Sequence, residues 1–135
     1  MSTRFEIPIN TSASETVTVT RELTVAHLLP GMPEVYGTPF MIYLMEHAAT
    51  EAIKPFLPSG WTSVGTLVNI RHLAATPVGF SVTATATVVS VSRHLITFDV
   101  KAHDGVDLIG EGTHERAVVE LARFNSKIGT KKVAK

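Results

Sequence analysis

The chain has 135 residues, enough for one domain that buries about 68–70% of the surface its unfolded form exposes. Twelve basic and twelve acidic residues cancel to a net charge of zero, which is no footprint for nucleic acid, whose binders carry a basic patch or stripe. The absence of cysteine excludes disulfides, thiolate metal sites and a cysteine nucleophile.

The opening MSTRFEIPINTSASE lacks an apolar run of signal-peptide length, and no segment reaches 18 consecutive apolar residues. The expectation is a soluble, cytoplasmic protein without membrane contact. It is read as a single domain over 1–135, with 1–13 and 129–135 as flexible tails. ETVTVTREL alternates Thr and Val and predicts a first strand at about 14 to 21. TVAHLLPGMPEVYG predicts one helical turn and then a loop punctuated by Pro30, Gly31, Pro33 and Gly37.

A helix is expected to begin after Thr38, with Thr38 as N-cap and Pro39 in the first helical position, and to end near Pro55 or Pro58. Met41, Leu44, Met45, Ala48, Ala49, Ala52, Ile53 and Phe56 form its apolar arc, with Tyr43, His47, Thr50, Glu51 and Lys54 opposite. Glu46 falls on the border, about 20° from Ile53 and about 40° from Thr50. Periodicity leaves two roles open for it: a boundary carboxylate in water, or a half-buried carboxylate acting as a base.

Four strands are expected after the helix: SVGTLVNIRHLAAT, FSVTATATVVSVS, HLITFDVKAH and VDLIGEGTHERAVVELARF. SRH and HDGVD join the last three as tight turns, Asp-Gly being a strong hairpin signal. The basic end, KIGTKKVAK, reads as a solvated tail. One long helix against one antiparallel sheet is an α+β layer architecture. Thr38 reads as a helix cap or as a hydroxyl at the positive end of the helix dipole. His72 shares a strand face with Val64, Thr66, Val68 and Ile70, as a core residue or a catalyst. Gly65 is a bulge, or a place where a ligand nears the backbone. No zinc pattern, phosphate loop or nucleophile elbow is present, and no metal is expected.

Read together, TPFMIYLMEHA, GTLVNIRHLAATPVG, AHDGVDLIGEGTHERAV and FNSK resemble the hot-dog-fold thioesterases, specifically the fluoroacetyl-CoA-specific subgroup. The likeness runs from about TVAHLLP at 24 to FNSKI at 128. It implies a hot-dog fold, an antiparallel sheet wrapped around one long central helix. It implies hydrolysis of a small acyl-CoA thioester to free acid and CoA, with no cofactor beyond the coenzyme A of the substrate. By the same resemblance the protein is a homodimer with sites at or near the subunit interface. The family's catalytic threonine, glutamate and histidine fall on Thr38, Glu46 and His72. Its strand glycine falls on Gly65, so an amide near Gly65 or Thr66 would face the oxyanion, and a further arginine falls on Arg116, a candidate for the CoA phosphates.

Eight residues of helix rise about 12 Å, so Thr38 and Glu46 do not touch along one regular helix. Either Thr38 folds back on the preceding loop, or two chains share the site. Two other functions compete. An acyl-CoA binding module would leave Glu46 idle. A hot-dog enoyl-CoA hydratase or dehydratase would want Asp and His near the helix start, where this chain has Thr and Glu with the His on a strand.

Overall fold

A computed structural model describes residues 5–134. In chain order the elements are β1 (Ser12–Thr18), a short α1 (Val25–Leu28), the long α2 (Thr38–Ile53), β2 (Trp61–His72), β3 (Ser81–Ser92), β4 (Leu95–His103), β5 (Leu108–Glu120) and α3 (Leu121–Gly129). The strands form one antiparallel sheet in the order β1-β3-β4-β5-β2, so β1 and β2 are its edges.

Alternation builds the core. Val82, Ala84, Ala86 and Val88 on β3, and Ile96, Phe98, Val100 and Ala102 on β4, are buried at every second position. They face Met41, Leu44, Met45, Ala48, Ala49, Ala52 and Ile53, which α2 buries along one side. This is the expected sheet around a central helix. Small residues bring the layers close. A Cβ on Gly110 would meet the Met41 sulfur at 2.5 Å, so only glycine lets that methionine rest on β5. Both hairpin turns need left-handed backbone: Arg93 has φ 57° and Gly105 φ 90°. Asp104 ties the second turn together, its Oδ1 accepting from the amides of Val106 and Asp107 at 2.9 and 2.7 Å, and its Oδ2 from the Thr76 hydroxyl at 2.8 Å.

Several boundaries differ from the sequence reading. β1 runs Ser12–Thr18 rather than 14 to 21, because the chain turns into a 3₁₀ segment at Arg21–Leu23. The reading of 1–13 as a tail is narrowed: Ile7 is buried and Asn10 donates to the Val88 carbonyl at 2.8 Å, while residues 1–4 lie outside the described residues. β2 ends at His72 rather than Thr76, and Thr76 leaves the sheet to bind Asp104. α2 stops at Ile53, and a 3₁₀ turn carries Pro55 and the partly exposed Phe56, which therefore leaves the apolar arc. The last expected strand divides at Glu120, and Leu121–Gly129 is helical. Leu121, Phe124 and Ile128, at helical spacing, were the signal for it.

Candidate functional site

The expected site residues form two clusters, one at the N-terminal end of α2 and one at its middle. At the N-terminal end, Gly37 is the N-cap and Thr38 the first helical residue, which corrects the assignment of Thr38 as cap. The Gly37 carbonyl accepts from Phe40 and Met41, and the Thr38 hydroxyl turns away from its own helix. Its Oγ1 lies 2.7 Å from Nδ1 of His72, the last residue of β2. The other ring nitrogen, Nε2, is buried and has no hydrogen-bond partner among the described residues. Burial lowers the His72 pKa below its ordinary value, against a smaller opposing effect of the Ala74 backbone. Both residues line a cavity of about 440 Å³ whose walls include Val25, Tyr36, Pro39 and Leu73. A neutral imidazole beside a hydroxyl, with a free nitrogen, is equipped to move a proton at the cavity wall.

The second cluster lies two turns along the helix. Two strands each contribute a pair of residues at spacing two, the interval that puts both side chains on one face. β2 gives Ser63 and Gly65, and β5 gives His114 and Arg116, with Gly65 directly opposite Arg116 in the register. Glu46 reaches this floor from α2, its Oε2 lying 3.4 Å from Arg116 Nη1. Arg116 is buried, and its Nε–H and Nη2–H donate to Ser63 Oγ and Ser63 O at 2.8 and 2.9 Å. Its donors thus point inward, towards Ser63, His114 and Glu46. Gly65 leaves the room in which the carboxylate rests: a Cβ would stand 2.8 Å from Glu46 Oε2 and 3.3 Å from His114 Cε1. Beyond Gly65 the register shifts before Leu67, so Thr66 has no partner on β5, although its hydroxyl donates to the Glu115 carbonyl at 3.2 Å.

Glu46 is therefore neither of the two simple cases. Its side chain is 37% exposed, yet it is paired with a buried guanidinium. Within one chain Thr38 meets His72, and Glu46 meets Arg116 and Gly65, but the two clusters do not meet. Two further arginines, Arg71 and Arg93, are exposed, and Arg123 lines a shallow groove beside Trp61, His94 and Lys127. His114 was not singled out, and its signal was the buried alternation of HER on β5. The sequence showed no pair of histidines at ligand spacing with a carboxylate, and the fold brings one histidine, His47, together with Glu15 and Glu51, with donor atoms within 4.8 Å of one another. Glu51 is also 3.8 Å from Lys54, and His47 stacks on Tyr43. Among the described residues no helix is long and apolar enough to cross a membrane.

The comparisons with known proteins agree with this architecture. The model of the fluoroacetyl-CoA-specific thioesterase family matches residues 19–122. A fluoroacetyl-CoA thioesterase from Streptantibioticus cattleyicolor is 48% identical over 114 residues, covering 80% of this chain and 82% of that protein. A solved fluoroacetyl-CoA thioesterase structure is 42% identical with a TM-score of 0.89, covering 95% of this chain and 99% of that one. A point mutant of such an enzyme, crystallised with fluoroacetate and CoA, gives a TM-score of 0.81 at 44% identity, covering 87% of this chain and 99% of the other. A hot-dog-like protein from Thermanaerovibrio acidaminovorans shares the fold at 25% identity, with a TM-score of 0.87 and 96% of both chains covered. The chain belongs to the fluoroacetyl-CoA-specific thioesterase family, and it is a hot-dog-fold enzyme that hydrolyses acyl-CoA thioesters.

Proposed function

We propose that the substrate is a small acyl-CoA and that Thr38, Glu46 and His72 carry its hydrolysis. The observation behind this reading is the 2.7 Å contact between Thr38 and His72 at the wall of the cavity. The cavity is of a size for a short acyl group and part of the pantetheine arm, since ligand pockets begin at about 300 Å³. Glu46 is the base that takes a proton from water, or the carboxylate that attacks the carbonyl carbon itself to give a mixed anhydride that water then hydrolyses. His72 passes a proton to the sulfur as the carbon–sulfur bond breaks and regains one from the water consumed, so the ring ends neutral and CoA leaves as the thiol. The free acid is the second product. The Thr38 hydroxyl holds the ring and the acyl oxygen in register, and an amide of Gly65 or Thr66 faces the developing oxyanion.

The separation of the two clusters favours a homodimer with sites shared between chains. β2 is an edge strand whose residues Gly65–Asn69 are all exposed, with Leu67 and Val68 among them. An exposed apolar edge is a template for strand pairing. Antiparallel pairing of two β2 strands about the middle of this run sets the Gly65 end of one chain opposite the His72 end of the other. Glu46 of one protomer would then work with Thr38 and His72 of its partner, and a symmetric dimer would carry two such sites. Coenzyme A enters as part of the substrate, without a separate cofactor, and the cytoplasm is the compartment that supplies it.

The test is thiol release from a panel of acyl-CoAs, short to long and including fluoroacetyl-CoA, with wild type and Glu46→Gln side by side. Turnover of the short members that collapses in the variant, with binding retained, supports the reading. Equal turnover in both proteins removes Glu46 from the chemistry. Mixing Glu46→Gln with Thr38→Ala protomers adds a check on sharing: mixed dimers should recover activity that neither parent has.

A further inference from the structure

Arginine carries five N–H donors and no acceptor, so its direction is set by the acceptors around it. Arg116 has three inward acceptors besides Glu46. Ser63 supplies two of them, and the third is Nε2 of His114, 3.2 Å from Nη1. That last contact determines the state of His114. Its Nδ1 lies 2.8 Å from the Leu67 carbonyl, which only accepts, so Nδ1 carries the proton. Its Nε2 faces a guanidinium that only donates, so Nε2 is bare. The ring is neutral and in one tautomer, buried and stacked on Phe98 of β4. Burial lowers its pKa first, the Leu67 carbonyl opposes, Arg116 lowers it further, and Glu46 on α2 and Glu115 on β5 raise it.

Building on the catalytic reading of Glu46, we propose that His114 and Ser63 are positioning residues that turn the Arg116 guanidinium towards Glu46 and thereby place the working carboxylate. The same Nη1 that meets His114 meets Glu46, so the neutral ring anchors the nitrogen that holds the carboxylate. The carbonyl that orients the ring lies just past the register shift that leaves Thr66 unpaired. One irregularity in β2 therefore serves both the ring and the amide run proposed for the oxyanion. A protonated His114 would present an N–H to an N–H and add a second cation beside Arg116.

The test uses the intact enzyme and the acyl-CoA that wild type turns over fastest in the panel above. His114→Phe keeps the ring volume and the stack on Phe98 but removes the acceptor, whereas His114→Gln retains an acceptor oxygen. The expected result for His114→Phe is a fall in kcat of roughly 10- to 100-fold, the range an approximately 1 Å misplacement produces, with KM within about threefold. His114→Gln should recover most of that loss. On an Arg116→Gln background, His114→Phe should add less than about a twofold change, because the two residues act through one contact. Ser63→Ala, read through the same cycle, replaces the aromatic variant if that protein does not fold. A folded His114→Phe with wild-type kcat, or a full additive loss on the Arg116→Gln background, overturns the positioning role. Glu46→Gln at wild-type rate would instead overturn the catalytic reading beneath it, so the two failures are distinguishable.

Discussion

Replacing Gly65 with alanine adds one methyl group where the carboxylate of Glu46 rests on β2. That Cβ would stand 2.8 Å from Glu46 Oε2, 3.3 Å from His114 Cε1 and 3.6 Å from Arg116 Nη1. The first distance is too short for any real contact, so the carboxylate has to move. It can do so cheaply: it is the end of a flexible side chain, 37% exposed, and its contact with Arg116 is already long at 3.4 Å. Loss of a partly exposed pair costs about 0.2–1 kcal/mol. The backbone of Gly65 is outside the left-handed region, so alanine fits it and restricts the unfolded chain, returning about 0.4–1 kcal/mol. The two effects nearly cancel, and Tm should stay within roughly 5 °C of wild type. Activity should not stay. A carboxylate displaced by about 1 Å costs on the order of 100-fold in kcat, equivalent to about 2.7 kcal/mol in the barrier. Thiol release and thermal melts on the same preparation separate the effects. Wild-type kcat in Gly65→Ala would refute the placement of Glu46 as functional, and a collapsed Tm would refute the claim that Glu46 is the group that yields.

Gly112→Ala should behave in the opposite way. Its Cβ would run into the Asn69 carbonyl, which is backbone of the paired strand and cannot swing aside, so a stability loss of about 1–3 kcal/mol is expected by chemical denaturation. The neutral form of His72 should persist below the ordinary histidine value, so the acid limb of a kcat/KM profile should centre below about 6.5; a limb above that value contradicts a working neutral ring. Stability should fall in two stages as pH decreases. His72 and His114 both have folded values below the unfolded one, so their contribution is present above about 6.5 and is lost as pH falls through the lowered values. The Asp107 amide foremost, with the Val106 amide and the Thr76 hydroxyl, holds the Asp104 carboxyl low against its burial, so its contribution persists above about 3.9 and is lost below. Urea midpoints measured from pH 8 to 3 should show both stages, and Asp104→Asn should remove the second while costing about 1–3 kcal/mol at neutral pH.

Local patterns made most of the fold legible. Alternation of Thr with Val and Ala marks β3 as far as Val88, where the register shifts, and the Asp-Gly turn sits where φ at Gly105 requires it. The helix arc was readable because seven of its eight expected members are buried, Phe56 being lost to a proline turn. α3 was missed since AVVELARF continues an apolar run out of a strand, and only the spacing of Leu121, Phe124 and Ile128 marks the change. The site was less legible for a different reason. Glu46 and Arg116 are 70 residues apart, and no short-range period reports that a guanidinium will be buried beneath a helix. Thr38 was misassigned as cap because its residue type suits that role equally well; its bond to His72 spans 34 residues.

The seating of Met41 on Gly110 has a consequence for how such an enzyme can diverge. With the helix wedged against β5, and its alanines Ala48, Ala49 and Ala52 against the sheet, α2 has no room to slide along its axis. The carboxylate it bears is thus insulated from events at the cavity mouth. Residues 25–37 and 73–77, which lie outside the sheet, can vary in bulk without retuning the frame. Selection for a new acyl group therefore has a region in which to experiment, while the hydrolytic apparatus is carried forward unaltered.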